Sequence, residues 1–457
     1  MRRSPVSGPQ TRKLRGSALI QIAPFRPLRF NPRRVSFISR VIAPPYDVIT
    51  KDEAQELREA DEHNIVRLTL HKNSDESRPP EAYHDASRLL KEWREQDILV
   101  RESLPCLYLC EQTFRFGDEV LTRRGLLCAT LLQEPDSGNV FRHEKTTTGP
   151  KLDRYKLMEA CRASLSPVFG IFGDQEGKAR ALMGHLRQGE PIAEFSTEKE
   201  IGYRVWRVTD RHHLERLAAI LRDEALVIAD GHHRYETAVV YKRNNRSAEG
   251  PPGSAPEDFL LTFCVPATDP GLRIRPTHRL VKAPAGFSMD SLASAVSRYF
   301  DTNEVKVASV EEIEQTIAGW QVGDRRFACF GAGGRLLEFS PREGDKEDQE
   351  GDFARLPVNI LHRAIMPQIL DLPEDRQADR DRLTYEAEPE TLYWDVESGR
   401  FDLAFVLPPL SPQTLDHLSR RGRLLPSKTT YFYPKIASGL AVYPFEEGVY
   451  LPDLLSG

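Results

Sequence analysis

No run of 18 apolar residues occurs in the 457-residue chain, so it has no stretch of the kind that crosses a membrane as a helix. Cysteine is sparse: the six, at positions 106, 110, 128, 161, 264 and 329, form no CxxC pair. That removes the usual zinc and dithiol signatures and leaves reduced core thiols in a cytoplasmic protein as the expectation. Excess positive charge is lacking too. Lys and Arg number 63 against 68 Asp and Glu, a net charge of −5, so no nucleic-acid partner is expected and anion binding must be local. Familiar catalytic signatures are also missing. Without GxxxxGK(S/T) there is no P-loop, and without HExxH or GxSxG nucleophilic hydrolase chemistry has no footing. Gly331-Ala-Gly-Gly-Arg335 has no third glycine at dinucleotide spacing and reads as a hairpin turn.

What is present is ordinary globular material, 40% apolar and 29% charged, and long enough for two or three domains. The first 34 residues hold nine Lys or Arg and no acid, without the apolar core of a secretory signal. A disordered basic extension over 1–24 is expected. The charged stretch Pro341–Asp352 and the Gly/Pro/Ser-rich stretch Asn244–Pro256 read as loops.

Between the loops, strand and helix patterns intermix. Ile65–His71 reads as a strand and Glu81–Glu95 as a helix. Pro105–Phe116 and Glu119–Leu132 read as a hairpin joined at Gly117-Asp118. Helical patterns cover Lys151–Cys161, Glu176–Leu186, His212–Leu221, Asp290–Phe300 and Val358–Ile369. Strand patterns cover Ser166–Phe172, Tyr203–Val208, Phe259–Pro266, Arg326–Phe330 and Leu336–Phe339. A hairpin among alternating elements predicts an α+β, mixed α/β fold with a mixed sheet. The expected division is 25–270 for a phosphate-binding region and 271–457 for a C-terminal α/β region.

The richest stretch is Ala225–Ala238. The apolar run Leu226–Ala229 breaks at Asp230-Gly231, and His232-His233-Arg234 opens a helical pattern through Tyr241. A strand that ends at glycine and feeds a helix offers free N–H groups and the positive end of a helix dipole. One carboxylate, two imidazoles and a guanidinium at that turn suit phosphate, which Arg234 could grip with two nitrogens. The plain alternative is a capped helix with solvated histidines.

Four more segments set polar chemistry beside turn residues. Ala43–Ile49 places Tyr46 and Asp47 after a rigid Pro-Pro. Arg142–Thr148 offers His143, Glu144, Lys145 and three threonines, with Lys151 and Arg154 in the next helix. His278 and Arg279 follow Pro276-Thr277, and Leu425–Lys435 places Lys428 among hydroxyls and aromatics. Each alone is a turn with solvated charges; together they outline one anionic-ligand pocket.

Asp230-Gly-His-His-Arg-Tyr-Glu resembles the phosphate-gripping turn of the ParB/sulfiredoxin superfamily, with His232 where sulfiredoxins carry their cysteine. Ala43-Pro-Pro-Tyr-Asp-Val, Arg142-His-Glu, Asp153-Arg154, Ser166-Pro-Val-Phe, the Asp230 motif and Lys428–Lys435 together resemble the domain-of-unknown-function 1015 family. The resemblance implies a ParB/sulfiredoxin-like mixed sheet with helices. It also implies phosphoryl transfer to or from a small hydroxylated metabolite, as in the superfamily's free-serine kinases, with serine and phosphoserine as the leading pair. The donor or acceptor would be ATP, ADP or pyrophosphate, with Mg²⁺.

Phosphoryl transfer needs positioning, charge neutralisation and a carboxylate near the hydroxyl. Asp230, His233 and Glu144 are the expected catalytic residues, with Asp230 the possible Mg²⁺ ligand. Gly231, His232, Arg234 and Lys428 are expected to hold phosphate, and Asp47, His143, Lys145 and Arg154 the rest of the substrate. Two alternatives stand beside the kinase: a non-catalytic nucleotide-binding regulator, and a metal-dependent phosphohydrolase using Asp230, His232 and His233.

Overall fold

The computed structural model describes residues 20–446 apart from 72–77, 137, 147–148, 247–249, 251–252, 298–299, 321–324, 343–352 and 374–380. Most of the basic stretch, and most of the charged loop at 341–352, lie outside the described residues.

The hairpin expected at Gly117-Asp118 is the backbone of the larger sheet. Its strands, Leu107–Phe116 and Glu119–Leu131, pair in register from Tyr108–Leu127 to Phe116–Glu119. On one flank lie Gly202–Val208 and Ala193–Ser196; on the other follow Phe259–Pro266, Val168–Phe172, Leu226–Asp230 and Val140–Phe141. Ile22–Ala23 pairs with the second hairpin strand, making nine strands in all. Two contacts are parallel, Phe259–Pro266 with Val168–Phe172 and Leu226–Asp230 with Val140–Phe141. The fold is therefore mixed α/β, as the intermixed patterns predict. A second, six-stranded antiparallel sheet is built from residues 278–406. The largest buried apolar cluster runs through both sheets, from Ile22 and Phe263 to Phe327 and Phe405.

The described residues begin before the boundary expected at residue 24. Ile20, Ile22 and Ala23 are buried, because pairing with Thr130 and Ala129 turns them into the core. A chain beginning at residue 24 is expected to be less stable than one beginning at residue 20, by roughly 1.5–3 kcal/mol per lost isoleucine. Denaturant melts of the two truncations check this; coincident curves would contradict it.

Ile65–His71 is a correction. Its β-branched residues read as a strand, yet Val66–Thr69 is a short helix. Asn64, wholly buried, decides the matter: its side chain accepts from Val66 N–H at 2.9 Å and donates to the Arg40 and Ile42 carbonyls. Local side-chain bonds of this kind compete with a sheet ladder. The Asp290–Phe300 helix is also shorter than expected, spanning Met289–Val296, and Phe300 opens a strand instead.

The C-terminal strap, residues 425–445, crosses the division expected at residue 271. Thr430–Tyr433 pairs with Arg273–Pro276, Ser438 bridges to Ala43, Val442 to Leu28, and Tyr443–Pro444 pairs with Ala163–Ser164. Leu425 bridges to Glu144. The strap thus lies across the end of the larger sheet where Leu226–Asp230 stops.

Candidate functional site

The strand Leu226–Asp230 loses register between Ile228 and Asp230, a bulge that re-aims the side chains at its end. Gly231 follows with φ +87°, a left-handed conformation that suits glycine. A Cβ there would also lie 2.9 Å from the Arg234 guanidinium. The helix His232–Asn245 then starts with no side-chain cap on its first turn.

Asp230 and Arg234 stand four apart and pair with each other. Arg234 Nη2 lies 2.6 Å from Asp230 Oδ2, and its other terminal nitrogen donates to the Pro167 carbonyl. Lys435, from the strap, takes Asp230 Oδ1. Arg234 and Asp230 are both buried. Arg234, expected to grip phosphate, thus places both terminal nitrogens on framework partners. Asp230, expected as the possible Mg²⁺ ligand, has a cationic partner at each oxygen.

His232 and His143 also turn inward. His143 is wholly buried, with Nδ1 2.6 Å from the Ile228 carbonyl and Nε2 2.7 Å from Thr430 Oγ1. The two imidazoles meet edge to face at 4.5 Å. Burial, then the nearby His143, holds His232 well below the ordinary histidine range. His232, expected to hold phosphate, is thus a neutral ring packed on His143. Among the described residues no group of three or more His, Cys, Asp and Glu is placed to hold a metal ion.

Glu144, expected to be catalytic, instead shapes the strap. Its carboxylate accepts from the N–H groups of Lys428 and Thr430, both at 2.9 Å, and from Thr430 Oγ1 at 3.0 Å. Burial pushes its carboxyl up, but hydrogen bonding to His143 and the strap N–H outweighs that and leaves it below the ordinary range. Those bonds hold Lys428 at φ +58°, an uncommon conformation for a residue with a Cβ. Arg154 is framework too: buried, it bonds Asp153 and the Thr69 carbonyl and lies 3.9 Å over the Tyr46 ring.

Asp47, His233, Lys428, Lys145 and Lys151 keep accessible surface. The Asp47 carboxylate lies 3.5 Å from Lys428 Nζ. Burial raises its pKa, and the stronger combined pull of Lys428, Lys435 and Arg234 holds it well below the ordinary range. His233 is half-buried, and burial together with Lys428 and Lys151 pushes its pKa down, with Asp47 and Glu236 opposing. Lys151 pairs with Glu236, which Arg142 also grips at 2.8 Å. Lys145 is exposed, and its backbone N–H donates to Leu425 O at 3.1 Å. The site thus alternates Asp47, Lys428, His233, Lys151 and Glu236 beside the uncapped helix turn. Sequence reasoning did not nominate Lys435 or Glu236. The signal for Lys435 was its place in the Leu425–Lys435 segment.

His278 and Arg279 belong to the second sheet rather than to the accessible site. Both are wholly buried; His278 Nδ1 accepts from Leu407 N–H at 3.1 Å, and Arg279 lies over Tyr385. Burial, then Arg279, pushes His278 from 6.5 to about 3. Unfolded histidine takes its proton near 6.5 and the folded one only near 3, so this contribution is complete above the first value and falls on acidification between them. The slope is about 1.4 kcal/mol per pH unit for one proton. His278→Gln is expected to flatten the fall in unfolding free energy between pH 6.5 and 5 by about that slope. Equal slopes in denaturant titrations would contradict it.

The molecule is a mixed α/β protein in which a strand–turn–helix motif meets a C-terminal strap. It belongs to the family described as protein of unknown function DUF1015, which matches residues 22–354. Lys428 and Lys435 therefore lie beyond the matched residues. No curated protein matches the chain. Among solved structures, a conserved hypothetical protein from Pyrococcus furiosus is 14% identical with a TM-score of 0.31, over 66% of this chain and 92% of that one. A free serine kinase in complex with AMP is 12% identical with a TM-score of 0.32, over 66% and 89%. SbnI from Staphylococcus aureus, truncated at its C-terminus, is 9% identical with a TM-score of 0.32, over 66% and 82%. Among the described residues, no helix is long and apolar enough to cross a membrane.

Proposed function

We propose that this protein is a phosphotransferase acting on a small hydroxylated metabolite, with serine and phosphoserine as the leading pair and a nucleotide or pyrophosphate as the other partner. One observation carries the reading: an accessible carboxylate, Asp47, meets Lys428 within the reach of Lys435 and His233, beside an uncapped helix turn. Lys428, Lys151 and the first-turn N–H groups of the helix neutralise donor phosphate oxygens. Asp47 accepts a hydrogen bond from the acceptor hydroxyl and aims it at phosphorus.

As the hydroxyl oxygen bonds to phosphorus, the donor's bridging P–O bond breaks and its electron pair leaves with the departing phosphate. The hydroxyl proton passes to Asp47. Phosphoryl transfer runs through a loose transition state, so the proton leaves late and a weakly basic carboxylate suffices to orient the nucleophile. A Mg²⁺ ion shared between donor phosphates and Asp47 or Asp230 would neutralise further charge. The six free cysteines fit a cytoplasmic setting.

Calorimetric titration with pyrophosphate, ADP and ATP tests the binding half. At least one is expected to bind, and Lys428→Ala to weaken it by about tenfold, the value of one charge-assisted bond. Failure of all three to bind the wild type would overturn the reading.

A further inference from the structure

Arg123 is wholly buried in the second strand of the long hairpin, and nothing in the proposed chemistry uses it. Its guanidinium lies 4.8 Å from the centroid of the Phe169 ring and also near Phe114 and Phe263. The polar contacts of this group converge on the strap. Nη1 donates to the Tyr433 carbonyl at 3.2 Å, and Nη2 donates to the Pro434 carbonyl. Nε donates to Gln112 Oε1 at 3.1 Å, and Nη2 reaches the same oxygen. Gln112, wholly buried as well, donates through Nε2 to Tyr203 Oη at 2.9 Å and to the Lys435 carbonyl at 3.3 Å. Three successive strap carbonyls, those of residues 433, 434 and 435, are thus held by two side chains of one hairpin.

A buried guanidinium is expensive to desolvate, and burial pushes its pKa down to about 10. Anchoring one strand pairing would not need it, since Thr430–Tyr433 already has a ladder with Arg273–Pro276. What the clamp adds is a fixed place for the residue just beyond the ladder. Lys435 leaves the clamp to meet Asp230, and its ammonium also lies 5.1 Å from the Tyr431 ring centroid.

We infer that Arg123, with Gln112, is a positioning residue that sets Lys435 against Asp230. The contact is read from the structure; its value for phosphate binding rests on the proposed phosphotransferase reading. Arg123→Lys keeps a charge but loses the planar fork that spans two carbonyls. Gln112→Glu keeps the shape and pairs with Arg123, but replaces the donor to the Lys435 carbonyl with an acceptor. It is the second variant should Arg123→Lys fail to fold.

The test is reductive methylation of the full chain, read lysine by lysine by mass spectrometry. In the wild type Lys435 is expected to react slowly, because its side chain is only 10% exposed. In either folded variant its rate is expected to rise by about tenfold or more, with Lys282 and Lys178 unchanged. Equal rates at Lys435, or a rise shared by all lysines, would overturn the inference. Pyrophosphate titration then separates the two claims. If Arg123 acts through Lys435, Arg123→Lys weakens pyrophosphate binding in the wild-type background and adds nothing in a Lys435→Ala background. Additive losses would overturn the inference while leaving the phosphate site standing. A wild type that binds neither pyrophosphate nor nucleotide would overturn the function while leaving the methylation result to decide the clamp.

Discussion

Asp47→Asn is expected to lower phosphoryl exchange by about 10²-fold or more, the usual scale for losing a positioned acid–base group. The fold should survive it. Among the described residues its ion pair is the 3.5 Å contact with an exposed lysine, and such pairs are worth about 0–1 kcal/mol. Exchange rates and thermal melts on the same preparation check both halves. Near-normal exchange in the variant would remove Asp47 from the chemistry.

Asp230→Asn should behave in the opposite way, with stability as its first casualty. Neutralising Asp230 leaves Arg234 and Lys435 in a buried place without their shared anion. Breaking a buried pair by removing one partner costs about 3–5 kcal/mol. A large drop in the denaturant midpoint is therefore expected, and exchange should fall with it. A variant that unfolds like the wild type but has lost exchange would return Asp230 to the catalytic role its motif invites.

The contrast between these two carboxylates shows what could be read without coordinates. The long hairpin was legible because two strand-like runs, Leu107–Phe116 and Glu119–Leu131, flank the two-residue turn signal Gly117-Asp118. The strand–turn–helix at Asp230-Gly231 was legible for the same reason. Which way its side chains face was not. Asp230 ends the strand and Arg234 lies in the helix, so their pairing depends on the left-handed turn at Gly231 and the bulge before it. Lys435 joins Asp230 from 205 positions away, a contact no local pattern carries. Asp47 was nominated only as one residue among several, because its place opposite Lys428 depends on Glu144 holding the strap in its left-handed turn.

Phosphorus NMR of the full chain with serine, Mg²⁺ and a panel of ATP, ADP and pyrophosphate, and with phosphoserine in the reverse direction, tests the central claim most directly. The account predicts a new phosphomonoester resonance with at least one donor, or loss of the phosphoserine resonance with its acceptor, abolished together with Asp47. Donors that bind but never exchange with serine or other small hydroxylated acceptors, in either direction, would contradict the account and make the protein a nucleotide-binding regulator.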